Sequence, residues 1–222
     1  ELEELREKAK VMGKNTKFSA SEAADGLSYM AMAGWKTDDM LQGLDGIMNL
    51  AAASGSDLAT TSDIVTDALT AFGKSASDST RLADIRAATS ANANTNVDLL
   101  GETFKYCAST AGALGFSMED TSVAIGLMAN SGVKGSQAGT SLKNILVNLS
   151  KPTKQMQTAM DDLGISLTDS EGNMKSLDTI MGEMRTAFSG LTEKQKASYA
   201  ATIAGKEGMS GLLAIVNSSP KD

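Results

Sequence analysis

The stretch of the chain that most resembles a ligand-binding loop is residues 132–140, GVKGSQAGT. Loops that bind phosphate follow a β-strand and place a lysine directly before a serine or threonine, so that N–H groups and the ammonium surround the anion. Here Lys134 precedes a glycine, and the residues before the loop have helical spacing. We therefore interpret the stretch as a packing corner or hinge between two helices, where glycine permits a positive φ and close backbone approach. The corner residues are Gly132, Gly135 and Gly139.

A second candidate is the acidic turn at residues 169–173, DSEGN, because carboxylates are the usual ligands of Ca²⁺. The helix–loop–helix calcium site needs a glycine at its sixth position and a glutamate at its twelfth. Counted from Asp169, Gly172 is fourth and Ile180 is twelfth, and isoleucine cannot bind a cation. The pattern is instead typical of a turn in a short β-hairpin, since apolar and polar residues alternate just before it.

Side chains that commonly carry catalysis are scarce. There is no histidine, and Cys107 is the single cysteine, so a Cys–His nucleophile and an internal disulfide are both impossible. A Ser–Lys pair is not excluded by composition, although most serines stand at predicted helix starts. The adjacent acids Asp38-Asp39 and Asp161-Asp162 point in different directions on a helix, unlike the facing carboxylates of a glycosidase. The sequence predicts a buried, structural Cys107 and no catalytic, cofactor-binding or metal-binding residue.

Charge and hydropathy argue against a nucleic-acid-binding or membrane-spanning chain. The formal net charge is −7, from 20 basic and 27 acidic residues, which disfavours binding to a polyanion. Lysines and arginines do not cluster around the aromatic residues, so we expect core packing for Tyr29, Trp35, Tyr106 and Tyr199. No uncharged run approaches the roughly 18 residues of a spanning helix, and the charged start is unlike a signal peptide. Because the chain begins at Glu1 within a helical pattern, we expect an excised fragment or a processed chain.

Helical signals dominate the rest of the sequence. Aromatic residues make up only 4% of the chain against 41% hydrophobic residues, so the core must consist mainly of aliphatic and small side chains. Capping boxes begin two predicted helices, and glycines such as Gly34 and Gly205 end others. The predicted helix caps are Ser19, Glu22, Ser117 and Asp120. The prediction is an all-α multi-helix bundle with one short β-hairpin near residues 165–176.

The helical pattern also repeats within the chain. A shift of about 98 residues, from 18 to 116, aligns a Phe-Ser pair, a capped helix and a glycine corner with a second copy of each. Chance similarity between Ala-, Gly- and Ser-rich helices is the alternative explanation. We predict an internal helical duplication, with a lead-in helix at 1–17, a core at 18–150 made of two related units (about 18–75 and 76–150), and a C-terminal helical subdomain with the hairpin at 151–222.

Residues 96–149 have the most distinctive order of motifs. Leu114-Gly115 precedes the capped helix, GVKGS follows it at 132–136, and AGTSL comes next at 138–142. In this order the stretch resembles the core region of phage tail tape measure proteins, a family also found in prophages and phage-tail-like bacteriocins. Residues 18–216 fit the same family pattern more loosely.

The resemblance implies a structural protein that sets tail length during virion assembly, inside the tail tube, and is ejected ahead of the DNA at infection. It implies no enzymatic activity and no cofactor. The implied partners are the tail tube protein, tail assembly chaperones and baseplate or tail-tip proteins, with self-association in the tail lumen. The expected locations are the lumen of the virion tail and, during assembly, the cytoplasm of the bacterial host. No specific nucleic-acid binding is expected, and contact with the host membrane would be transient.

Two other functions are compatible with parts of the sequence. The Ala-, Gly- and Met-rich helices in residues 97–150 suggest a membrane-active or pore-forming helical module that assists genome delivery. A small enzyme or peptidoglycan-acting domain is disfavoured, because its catalytic residues are missing. The main interpretation contains a tension, since a ruler should be extended whereas frequent corners are typical of a compact bundle. Our hypothesis is that residues 18–217 fold compactly alone and rearrange to fit a narrow lumen.

Overall fold

Helices form nearly all of the computed structural model, which describes residues 1–219. Eleven α-helices and one 3₁₀ turn, Ala76–Asp78, lie within these residues. The helices are α1 Leu2–Asn15, α2 Ala20–Met32, α3 Thr37–Ser54, α4 Leu58–Ala71, α5 Ser79–Asn92, α6 Val97–Ala113, α7 Met118–Asn130, α8 Gly135–Ser150, α9 Lys154–Leu163, α10 Leu177–Ser189 and α11 Glu193–Val216. The predicted all-α class is confirmed. Residues 220–222, the end of the predicted 151–222 subdomain, lie outside the described residues.

Most helices begin at a polar side chain that caps the first turn. In seven helices of the described chain, the N-cap side chain accepts a hydrogen bond from the backbone N–H three residues later. This bond satisfies one of the donors that every helix start leaves free. The seven capping residues are Ser19, Asp57, Asn96, Ser117, Thr153, Ser176 and Thr192.

Several helices end at a glycine with a left-handed backbone. At these ends the N–H of the glycine and the N–H of the next residue both return to carbonyls of the last helical turn. The glycines concerned are Gly34, Gly73, Gly115, Gly132 and Gly164. A side chain with a Cβ is disfavoured at a positive φ, so these glycines mark the helix ends in the sequence.

Helix α8 lies between α6 and α11, which pack along two different faces of it. At the other end of the bundle α1 packs on α2, and α3 on α5, while α4 contacts both α2 and α6 and so joins the two parts. One apolar core runs through the molecule and includes the fully buried Leu44, Ile47, Leu100, Leu142 and Leu146. No helix within residues 1–219 is both long enough and apolar enough to cross a bilayer.

The predicted β-hairpin near residues 165–176 is not formed. The segment has one isolated antiparallel bridge, between Thr168 and Met174, and no strand is present in residues 1–219. The carboxylate of Asp169 accepts hydrogen bonds from the N–H groups of Glu171 and Asn173, both at 2.9 Å. The turn is therefore organised by its own side chain. Its arms are only a few residues long between α9 and α10, and such short arms cannot sustain a two-stranded ladder.

Candidate functional site

The corner between α7 and α8, in residues 132–140, is the part of the fold that the sequence singles out. Gly132 follows the end of α7 with φ 85°. Its N–H donates to the Ala129 carbonyl at 3.0 Å, and the Val133 N–H donates to the Met128 carbonyl at 2.9 Å. A Cβ added at Gly132 would meet no atom within 4 Å. Glycine is thus required here by the backbone angle and not by lack of space.

The other two corner glycines lie where α8 meets α6. Gly135 is buried, has φ 58°, and a Cβ there would lie 2.8 Å from Oε2 of Glu102. The hydroxyl of Thr103 is shared between the carbonyl of Gly135, at 3.0 Å, and that of Leu99, at 2.8 Å. A Cβ at Gly139 would clash with the Thr103 carbonyl oxygen. The backbones of α6 and α8 are therefore in direct contact, and no side chain fits between them.

This geometry is unsuited to binding a phosphate. Lys134 occupies the N-cap position of α8, but its side chain makes no capping hydrogen bond. The helix packs against α6 from its first turn. The carboxylate of Glu102 lies beside that helix start, where a phosphate would need to bind, and like charges repel. Of the three glycines in the predicted corner, Gly135 and Gly139 pack against α6, whereas Gly132 forms the turn.

The opposite face of α8 contains two polar contacts that sequence reasoning missed. The buried Ser141 hydroxyl donates to the Gly208 carbonyl and accepts from the Gly211 N–H, both at 3.1 Å. The side-chain amide of Asn148 donates to the Ile203 carbonyl at 3.1 Å. All three partner residues lie on α11, which is broken at Gly205 (φ 70°, ψ 179°). A break in a helix leaves the carbonyls just before it without helical partners, and the Asn148 amide compensates part of that loss at Ile203.

The two predicted helix caps differ in detail. Ser19 and Glu22 form a reciprocal box, in which the Ser19 N–H donates to Glu22 Oε2 at 2.7 Å and the Glu22 N–H donates to Ser19 Oγ at 3.2 Å. The hydrogen bond donated by the Ser19 N–H is the main cause of the lowered pKa of the Glu22 carboxyl. Ser117 accepts from the Asp120 N–H at 3.0 Å. The Asp120 carboxylate instead accepts from the N–H of Asp178 at 3.3 Å, at the start of α10.

Comparison with known proteins places this bundle in a family. Residues 6–205 match the family model of the phage-related minor tail proteins, which covers most of the chain and all of the corner. The chain belongs to the phage-related minor tail protein family. No solved structure matches it.

Two proteins are similar to this chain over all or nearly all of its 222 residues. A tape measure protein of Pneumococcus phage Dp-1 is 38% identical over 221 residues, covering 100% of the chain and 19% of that protein. A probable tape measure protein of Escherichia phage P2 is 28% identical over 221 residues, covering 99% of the chain and 27% of that protein. The chain spans about a fifth to a quarter of the length of these relatives.

Elsewhere in this minor tail protein, the side chains that could carry chemistry are dispersed. Burial raises the pKa of the Cys107 thiol to about 12, which leaves it in its unreactive form at neutral pH. A hydrogen bond from the Asn173 N–H is the main cause of the lowered pKa of Asp169. Within residues 1–219, no three His, Cys, Asp or Glu side chains converge in a way that could hold a metal ion. Core packing was predicted for Tyr106, but this residue is 46% exposed and lies at the surface.

Proposed function

We propose that the chain is the folded core of a tape measure protein, which sets the length of a phage tail during assembly and is ejected ahead of the DNA at infection. The observation that carries this proposal is similarity along the entire chain to two proteins named as tape measures or probable tape measures. Membership of the minor tail family supports a structural, non-enzymatic role. The glycine corner is compatible with the same role, because Gly135 and Gly139 bring the backbones of α6 and α8 into contact.

The proposed partners follow from that role. They are the tail tube protein that surrounds the tape measure, assembly chaperones that hold it beforehand, and baseplate or tail-tip proteins, with copies of the chain side by side in the lumen. The protein would be in the host cytoplasm during assembly and in the virion tail afterwards. The net charge of −7 suits a chain that shares a conduit with DNA, since it does not retain a polyanion.

The proposed ruler must be longer than the bundle. A compact domain of this size has a radius of gyration of about 17 Å. Residues 18–150 laid end to end as helix would extend roughly 200 Å, at 1.5 Å per residue. We therefore infer that the bundle is the form present before the chain enters the tube, and that it opens at its glycine corners.

The proposed organisation contains two related units, at about 18–75 and 76–150, after the lead-in at 1–17. In support, the corners after α2 and α7 have the same backbone geometry. Gly34 has φ 88° and Gly132 φ 85°, and each is followed by an N–H that returns to the third-last residue of its helix. Helices α10 and α11 pack on α7 and α8, and they belong to the proposed C-terminal subdomain at 151–222.

The length of assembled tails tests the proposal directly. A second copy of residues 18–150 would be inserted in frame into the full-length protein, in the genome that encodes it, and tails would be measured by electron microscopy. We expect tails longer by roughly 200 Å if the added segment is extended helix. The control genome carries the same DNA placed after the stop codon, and its tails should keep their length. Unchanged tails from the in-frame duplication would overturn the proposal, and an increase of only a bundle width would overturn the opening of the segment.

A further inference from the structure

Helix α5 contributes little apolar surface to the core that it crosses. Only two of its buried residues are apolar, Leu82 and Ala83, and the other two are polar, Ser79 and Arg86. By contrast α8 buries five apolar side chains, Ala138, Leu142, Ile145, Leu146 and Leu149. Since burial of apolar surface is the main force that holds a helix in a bundle, α5 gains less stability from its own apolar side chains than α8 does.

Arg86 weakens α5 further, because it places a charge inside the core. The side chain is fully buried, with a relative exposure of 0%. None of its three guanidinium nitrogens has a hydrogen-bond partner among residues 1–219. The guanidinium lies over the ring of Phe104, 4.5 Å from the centroid, and this contact compensates only part of the lost hydration.

The charge on Arg86 persists at neutral pH, and no carboxylate among residues 1–219 forms an ion pair with it. Burial lowers the pKa of the guanidinium to about 9, which is still above neutrality. The neighbouring Cys107 thiol is neutral there, because burial raises its pKa to about 12. Two further buried hydroxyls, of Ser62 on α4 and Ser122 on α7, also have no partner in the described chain. Both of these helices contact α5, so unpaired polar groups occur on two neighbours of α5 as well as on α5 itself.

We propose that Arg86 is a built-in destabilising charge that favours the release of α5 from the bundle. When α5 leaves, the guanidinium regains water, which offsets part of the loss of packing at Leu82 and Ala83. The proposal rests on the proposed function for its purpose, since a chain that must enter a narrow tube has to open at a defined place. The stability measurements that test it use the isolated 222-residue chain, so they succeed or fail independently of the tail-length experiment.

The first test is denaturant unfolding of the Arg86→Met variant, which keeps the length of the side chain and removes the charge. We expect its unfolding equilibrium constant to fall at least about tenfold, because apolar replacement of a poorly compensated buried charge is stabilising. The matched control is Arg81→Met on the same helix, an exposed arginine paired with Glu119 at 2.6 Å. Its unfolding constant should change by no more than about threefold. Arg86→Lys keeps the charge and should not stabilise the fold.

The outcomes of this test are decisive in both directions. If Arg86→Met unfolds more easily than the parent chain or fails to fold, the guanidinium is a stabilising group and the proposal is overturned. If Arg86→Met and Arg86→Lys both stabilise the fold, the charge is not the cause and the proposal is equally overturned. Stabilisation by methionine alone supports it.

The second test is native-state hydrogen exchange, which locates the opening. In the parent chain, amides of α5 should exchange at least about tenfold faster than the buried amides of α8. Arg86→Met should slow the α5 amides, and should leave unchanged the amides of α9, whose local opening does not expose residue 86. Protection of α5 equal to that of α8 in the parent chain would overturn the preferential opening of α5.

Discussion

The corners at Gly34 and Gly132 form the same turn in different surroundings. The two glycines have φ angles of 88° and 85°. In both corners the N–H after the glycine returns to a methionine carbonyl, at 3.1 Å in the first and 2.9 Å in the second. A Cβ at either position would meet no atom within 4 Å. The turn is therefore a local property of each helix end and depends on its glycine.

The helices that follow the two turns are held by different means. At the start of α3, the Asp39 carboxylate accepts a hydrogen bond from the Lys36 N–H at 3.3 Å, which is a contact within its own turn. The start of α8 has no side-chain cap and is buried against α6 through Gly135, Gly139 and Thr103. One corner is thus stabilised by its own residues and the other by its neighbours. Equivalent substitutions should therefore differ in cost after the turn and agree at the turn itself.

The largest difference is expected at residue 139. Gly139→Ala places a methyl group against the Thr103 carbonyl oxygen, so α6 and α8 must separate, and we expect a loss of about 3 kcal/mol in the free energy of unfolding. The position about 98 residues earlier is Leu41, which is only partly buried on α3. Leu41→Ala should cost about 1 kcal/mol. Urea denaturation measures both, and equal costs would contradict the difference between the corners.

A smaller effect is expected at Ser141, on the face of α8 that contacts α11. Ser141→Ala removes two buried hydrogen bonds between α8 and α11, so we expect a cost of about 2 kcal/mol. Ser150→Ala is the control, since that exposed hydroxyl only donates within its own helix, to the Val147 carbonyl. Thermal or urea unfolding should show a change within about 0.5 kcal/mol for the control. A similar change in both variants would mean that the contact to α11 does not stabilise the bundle.

The two turns themselves should respond alike. Gly34→Ala and Gly132→Ala each force a Cβ into a left-handed backbone without any steric clash, so each should cost about 1 kcal/mol. The two glycines have similar φ angles but different neighbouring helices. Equal losses of stability in the two variants, within experimental error, would therefore support a purely local turn. A much larger cost at Gly132 would show that packing extends to the turn, which would sharpen the contrast between the corners.

The smallest effect concerns the cap at the start of α2, in the first unit. Hydrogen bonds from Ser19 hold the pKa of Glu22 below its ordinary value. A carboxyl with a lowered pKa stabilises the folded state above its unfolded pKa, and this contribution disappears as the pH falls through the folded pKa. Glu22→Gln should therefore be less stable than the parent chain at about pH 6 and equal to it near pH 3. A difference between the two chains that stays constant over this range would exclude the ionised cap as its source.

Features of the fold that depend on neighbouring residues in the sequence were predictable. Ser19 and Ser117 mark helix starts, and Gly34 and Gly132 mark helix ends, because capping involves residues within one turn of each other. The hairpin prediction was wrong for a related reason. Alternation around Asp169 indicates a turn, but a ladder also needs arms long enough to pair.

Contacts between distant helices were not predictable from one sequence. Ser141 reads as a helix residue in a small-residue motif, and only the position of α11 makes it a buried hydrogen-bonding group. Asp120 reads as the second half of a capping box, yet its carboxylate binds the N–H of Asp178, 58 residues away. Arg86 lies in a segment without a clear apolar stripe, and no local signal indicates that its charge is buried.

The burial of Cys107 has a practical consequence. It is the single cysteine of the chain, its relative exposure is 0%, and it lies on α6 one turn after Phe104, the ring that Arg86 covers. A thiol-reactive dye cannot reach it while the bundle is closed. Labelling kinetics at this one natural position would therefore act as a chemical clock for unpacking. No engineered probe is needed for this reaction in the isolated 222-residue chain.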